Sequence, residues 1–127
     1  MINNFLIISC IGKDDKLGLR INKEFFIHNF NHSKNKYNNL VTEIFNFITS
    51  KGAKLDKHFS VIVNQGPGSF SGVRISLAIA KGLEITKNVK LFGFKNTDLS
   101  EFNKENVEKL LNENLTEKNL IQPIYLS

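Results

Sequence analysis

Apolar and polar positions divide this chain into segments of two periods. Phe5-Leu6-Ile7-Ile8-Ser9-Cys10-Ile11 is a continuous apolar run, the pattern of a strand buried on both faces. Gly12-Lys13-Asp14-Asp15 carries turn residues. From Lys16 to Asn22 the pattern alternates, with Leu17, Leu19 and Ile21 on one face, which predicts a half-buried strand. A short turn at Asn22-Lys23-Glu24 leads to a third strand, Phe25-Phe26-Ile27-His28. Between Ser33 and Lys51 the period changes: Tyr37, Leu40, Val41, Ile44, Phe45 and Ile48 recur at three and four residues, as on one face of a helix. Ser33 is a candidate cap and Gly52 a stop. Ser60-Val61-Ile62-Val63-Asn64 reads as a buried strand, 70–85 as a second helix, and Lys90-Leu91-Phe92-Gly93-Phe94 as a last strand. The order is βββαβαβ, an antiparallel meander followed by strands joined through helices, which predicts a mixed five-stranded α/β sheet.

The last thirty residues differ. Val107, Leu110, Leu111 and Leu115 mark one more helix, with Asn103 as its cap. We divide the chain into a lobe at 1–97 and a short helical tail at 98–127.

Length and composition add bounds. The 127 residues suit one compact domain, and 41% apolar with 23% charged residues is ordinary globular usage. The single cysteine, Cys10, excludes a disulfide framework and suits a reducing compartment. No apolar stretch approaches the ~20 residues needed to span a bilayer. No signal peptide is read at Met1-Ile2-Asn3-Asn4. These features predict a cytoplasmic protein without a membrane role. The net charge of +5 is uneven: residues 1–97 carry 14 Lys/Arg against 6 Asp/Glu, the rest 3 against 6. A basic body suits RNA or an acidic protein face, but the cations are scattered and no aromatic stacking platform is evident.

One motif carries chemical content. Gly66-Pro67-Gly68-Ser69-Phe70-Ser71-Gly72-Val73-Arg74 follows a strand and opens a helix. Helix N-termini offer N–H donors and a positive dipole end, so Gly66, Gly68 and Ser69 are candidate anion-binding residues. The spacing departs from the Walker loop, since no Lys follows Gly72, and from the dinucleotide fingerprint. The simpler reading is a tight strand-to-helix turn capped by Ser69 or Ser71. The helix beyond it is apolar nearly all round, which predicts burial on two sides. Gly72, Ser76 and Ala80 form a small-residue ridge that admits a close neighbour, either the first helix or a partner protein.

Residues 66–83 resemble the signature of the TsaB (YeaZ) family, G-P-G-S-F-[TS]-G-[LV]-R-I-[GS] followed by an Ala/Lys/Gly-rich helix end. His32-Ser33 and Pro123-Ile124-Tyr125-Leu126 resemble two further family features, an H-S pair before the first helix and a closing P-x-Y-L-R. The resemblance covers about residues 4–97 plus the last few. It implies an RNase H-like lobe of the actin/Hsp70 type, here a short form lacking most of the second lobe. It implies a non-catalytic partner of TsaD in the making of threonylcarbamoyladenosine at tRNA position 37. TsaE would join the complex, tRNA would be met only indirectly, no cofactor is called for, and the chain alone would form a homodimer. The partner surface would use the first two helices, through Tyr37, Leu40, Val41, Ile44, Phe70, Gly72, Val73, Ser76, Leu77 and Ala80.

Two departures stand out. Ile8-Ser9-Cys10-Ile11 occupies the place of the family's I-D-T-S, so the carboxylate that ATPases of this fold use is absent, and Ser127 replaces the family's final Arg. Asp14 and Asp15 read as solvated turn charges. The alternative function is a degenerate nucleotide-binding protein using Gly66–Gly72 for phosphate. His28, His32 and His58 lack metal-site spacing, and Cys10 has no evident base. No nucleophile–base pair is visible, which predicts a chain without catalysis of its own.

Overall fold

The computed structural model describes residues 3–30, 37, 39–113, 116–117, 121 and 123–124. Three strands open the chain: β1 (Phe5–Ser9), β2 (Lys16–Ile21) and β3 (Glu24–Asn29). Then come helix α1 (Leu40–Ser50), strand β4 (Ser60–Asn64), helix α2 (Phe70–Lys87) and strand β5 (Lys90–Phe94). A 3-10 turn at Asn96–Asp98 leads to helix α3 (Lys104–Asn112) and a two-residue strand β6 (Thr116–Glu117). The sheet order is β3-β2-β1-β4-β5-β6. β1 pairs antiparallel with β2 and parallel with β4, and β5 lies parallel to β4. This is the mixed α/β sheet of an RNase H-like lobe in the expected βββαβαβ order. The added β6 pairs antiparallel with β5 through Phe94 and Thr116, in a tail read from the sequence only as helical.

The alternation within each central strand explains the layers. Leu6 and Ile8 of β1, with Val61 and Val63 of β4, face α1 and α2. Phe5, Ile7 and Ile62, with Phe94, face the other way, onto Leu99, Val107 and Leu110 of the α3 segment. The sheet is therefore covered on both faces, which is why its central strands are apolar without interruption. Full burial of side chains such as Phe5, Leu6 and Ile7 is worth about 1.5–3 kcal/mol each.

Capping chemistry sets several element ends. The Ser69 side chain accepts from Gly72 N, and that of Asn103 accepts from Asn106 N. Gly52 takes φ +71° just past α1. α2 runs two residues beyond its expected end and stops where Asn88 adopts a left-handed φ of 59°. α1 is described from Leu40; Ser33, expected as its cap, lies outside the described residues, as does His32. β1 ends at Ser9, two residues short of the apolar run, because Cys10 and Ile11 turn into the β1–β2 loop.

Candidate functional site

Three segments meet beside the carboxyl end of β1: the β1–β2 turn, the Gly66–Ser69 loop with the start of α2, and Tyr37 ahead of α1. Gly12 has φ +95° and Gly66 likewise, a conformation that favours glycine. The two turns interlock. A Cβ on Gly12 would lie 2.6 Å from Ser69 Cβ, and one on Gly68 would lie 2.6 Å from Ile11 Cβ. Ser69 N donates to Ile11 O over 2.6 Å. Asp15, 6% exposed, closes the turn by accepting from Gly12 N (2.8 Å) and from the Tyr37 hydroxyl (2.7 Å). Burial, then the hydrogen bond to Asp15 and its charge, hold the Tyr37 phenol well above the ordinary tyrosine range. Asp15 is thus not the solvated charge expected of a turn aspartate; Asp14 beside it is exposed. The signal available was the Gly12-x-x-Asp15 spacing, which lets a carboxylate close its own loop.

The candidate anion residues line this junction, and the amides of Gly66 and Ser69 are engaged within the chain, as are those of Gly72 and Val73 in the first turn of α2. Gly66 N donates to Asn64 Oδ1 (2.9 Å), Ser69 N to Ile11 O, Gly72 N to Ser69 Oγ and Val73 N to Ser69 O. Asn64, buried at the end of β4, also donates from Nδ2 to Ser9 Oγ and Asn96 Oδ1, each at 3.1 Å. Ser9 therefore joins a neutral network at the strand ends. A cleft of about 480 Å³ opens beside it, lined in part by Ser9, Lys13, Asp14, Lys16, Asn96 and Phe102.

The predicted partner residues fall into two sets. Leu40, Ile44, Gly72, Val73, Ser76, Leu77 and Ala80 are buried within the lobe, and Tyr37 is half-buried. The small-residue ridge faces inward, which corrects the expectation that it meets a partner helix. Gly72 sits against Cys10 and Tyr37, where a Cβ would lie 2.5 Å from Cys10 O and 2.6 Å from Tyr37 Oη. The Ser76 hydroxyl donates to Gly72 O over 2.6 Å. Only Val41 (49%) and Phe70 (60%) of the predicted set are exposed. Two residues outside that set join them, Phe45 on α1 (37%) and Ile85 on α2 (81%). Their exposure follows from the burial arcs. α1 buries Leu40, Ile44, Phe47 and Ile48, and α2 buries Gly72, Val73, Ser76, Leu77, Ala80 and Leu83. Burial on two sides of α2 is not found in the single chain: one side is covered and the other is not.

The other candidates have structural settings. His28 Nε2 lies 3.1 Å from Glu43 Oε2 and its ring contacts Phe30 and Phe47, so it ties β3 to α1. His58 is exposed and Cys10 is buried. Among the described residues no group of three or more His, Cys, Asp or Glu could hold a metal ion. No described helix is long and apolar enough to cross a membrane.

No protein-family model matches the chain. No curated protein is significantly similar to it in sequence. Among solved structures it is similar to YeaZ from Pseudomonas aeruginosa, with a TM-score of 0.68 and 15% identity over 88% of this chain and 50% of that one. It is equally similar to an uncharacterized protein resembling peptidase YEAZ from Pseudomonas aeruginosa, with a TM-score of 0.68 and 15% identity over 87% of this chain and 49% of that one. The chain spans about half the length of both. At this identity the likeness is one of fold: the chain has the YeaZ fold over the half of those structures that it matches.

Proposed function

We propose that this chain is a non-catalytic protein-interaction subunit of TsaB type. In this reading it binds TsaD and so supports the formation of threonylcarbamoyladenosine at position 37 of tRNA. TsaE joins the assembly, tRNA is contacted only indirectly, and a homodimer forms when TsaD is absent. The observation that carries the reading is the apolar outer side of two helices on a lobe of YeaZ fold. Val41, Phe45, Phe70 and Ile85 stand exposed although α1 and α2 already bury a full face each. Large apolar side chains left exposed on the outer sides of two helices support an interaction surface. The resemblance of residues 66–83 to the TsaB signature supports the choice of partner.

The nucleotide-binding alternative draws less support. A phosphate seat needs free amides, and those of Gly66, Ser69, Gly72 and Val73 already have acceptors within the chain. Ser9, at the end of β1, brings a hydroxyl bound to Asn64 rather than a carboxylate.

The test is co-purification with TsaD of the same cell, followed by a threonylcarbamoylation assay with TsaD and TsaE. The reading expects a stoichiometric complex and modification that depends on this chain. Modification at full rate without the chain overturns it.

A further inference from the structure

Along the outer side of α2, Phe70, Arg74, Ala78, Lys81 and Ile85 follow at steps of four, four, three and four residues. That spacing sets them on one stripe of a helix. All five are exposed. The stripe has a large apolar residue at each end, an alanine at its centre and one cation on either side of the centre. The Arg74 guanidinium lies 4.9 Å from the centroid of the Phe70 ring. Among the described residues neither Arg74 nor Lys81 forms an ion pair; the bridges seen are Arg20–Glu108 and His28–Glu43. Glu84, the one carboxylate of α2, lies on the adjoining face, three residues from Lys81, and forms no ion pair with it.

The stripe reads almost the same in both directions. Paired antiparallel with the stripe of a second copy, about Ala78, Phe70 meets Ile85 and Arg74 meets Lys81. Paired parallel, each cation meets its own twin. Either way four cations gather where the helices cross. Like charges facing one another in a contact that excludes water cost affinity. A partner helix with two carboxylates seven residues apart, flanking a small residue, reverses the sign. Each cation then meets an anion, while the aliphatic stems of Arg74 and Lys81 cover apolar surface.

We infer that the outer stripe of α2 selects a partner carrying two such carboxylates over a second copy of this chain. This rests on the reading of α2 as an interaction surface and adds the charge of what it binds. Association with that partner is weakened by salt, and pairing of the stripe with itself is strengthened by salt, because screening acts on opposite signs.

Two measurements with the full chain test it. Affinity for TsaD is measured at about 50 mM and about 400 mM salt, for the native chain and for the double variant Arg74→Glu/Lys81→Glu. We expect salt to weaken the native complex about tenfold, and charge reversal to weaken it at least as much at low salt. Separately, native and charge-reversed chains are mixed and their association is followed by sedimentation. At low salt the mixed pair should form about tenfold more tightly than either chain pairs with itself. If the reversed chain does not fold, Arg74→Gln/Lys81→Gln replaces it: its loss of TsaD affinity should be intermediate, and at low salt it should pair with itself more tightly than the native chain does, equal self-pairing overturning the inference. A TsaD complex indifferent to salt and to both double variants overturns the inference. So does a mixture with no preference for unlike chains. If TsaD fails to bind at any salt, the proposed function fails, while the mixing experiment still decides the charge selection.

Discussion

The Tyr37 hydroxyl donates to Asp15 Oδ2 over 2.7 Å, joining the segment before α1 to the turn between β1 and β2. The same carboxylate accepts from Gly12 N, and Gly12 lies against Ser69 at the start of α2. The buried Asp15 carboxylate and the half-buried Tyr37 thus hold the beginnings of both helices against the end of β1.

Tyr37→Phe removes the donor and leaves Asp15 buried with one fewer partner. Losing a hydrogen bond to a buried charged group costs about 1.5–3 kcal/mol. Urea denaturation should show that loss with an unchanged slope. An unchanged midpoint would mean that the pair adds nothing to stability.

The pair also predicts alkaline behaviour. The phenol of Tyr37 is raised above the ordinary value of 10.0 by burial, then by Asp15. A group whose folded value is raised contributes stability that is fully present below its unfolded value. That stability is lost as pH climbs from the unfolded toward the folded value. Of the chain's two tyrosines, one should resist ionisation until the chain unfolds, and stability should fall above about pH 10. Tyr37→Phe should abolish the late-titrating phenol and flatten that fall. Phenolate absorbance against pH measures the first, and denaturation at several pH values the second.

Ser76→Arg places a charge where the side chain is fully buried and hydrogen-bonded to Gly72 O. Gly72→Ala drives a methyl into Cys10 O and Tyr37. Both should damage folding rather than association. Gly72→Ala should cost about 1–3 kcal/mol, and Ser76→Arg at least as much. Circular dichroism melts decide it. A Ser76→Arg chain that melts normally would mean that α2 is turned the other way.

Val41→Asp tests the outer side of α1. Val41 is half exposed and absent from the buried set of the helix, so stability should change by no more than about 0.5 kcal/mol. TsaD affinity should fall at least about tenfold, or ~1.4 kcal/mol. Equal affinity would remove α1 from the surface.

Local pattern carried most of the fold. The segments Ser60–Asn64 and Lys90–Phe94 match their strands residue for residue, because each is a short run with an apolar centre set between polar and turn residues. Ser69 and Asn103 cap the helices that they precede, since the cap bond forms within four residues. The site was less legible because it depends on contacts distant in sequence. The periodicity of α2 shows that Gly72, Ser76 and Ala80 share a face, but not that Cys10 and Tyr37 cover it. Asp15 and Tyr37 are 22 residues apart, and only the folded sheet brings them together. The exposed Phe45 and Ile85 belong to the same apolar periodicities as core residues, so the pattern alone does not separate them. The short β6 pairs with β5 through two residues, too few for any alternation.

Binding of TsaD by the outer sides of α1 and α2 is the central expectation for this chain. Its most direct measurement is titration calorimetry of the native chain and Phe70→Asp against TsaD, with both chains shown to melt alike. Phe70 is 60% exposed, so the substitution should spare the fold. A one-to-one complex is expected for the native chain and affinity at least about a hundredfold weaker for the variant, ~2.8 kcal/mol. Equal binding by both chains would contradict that expectation.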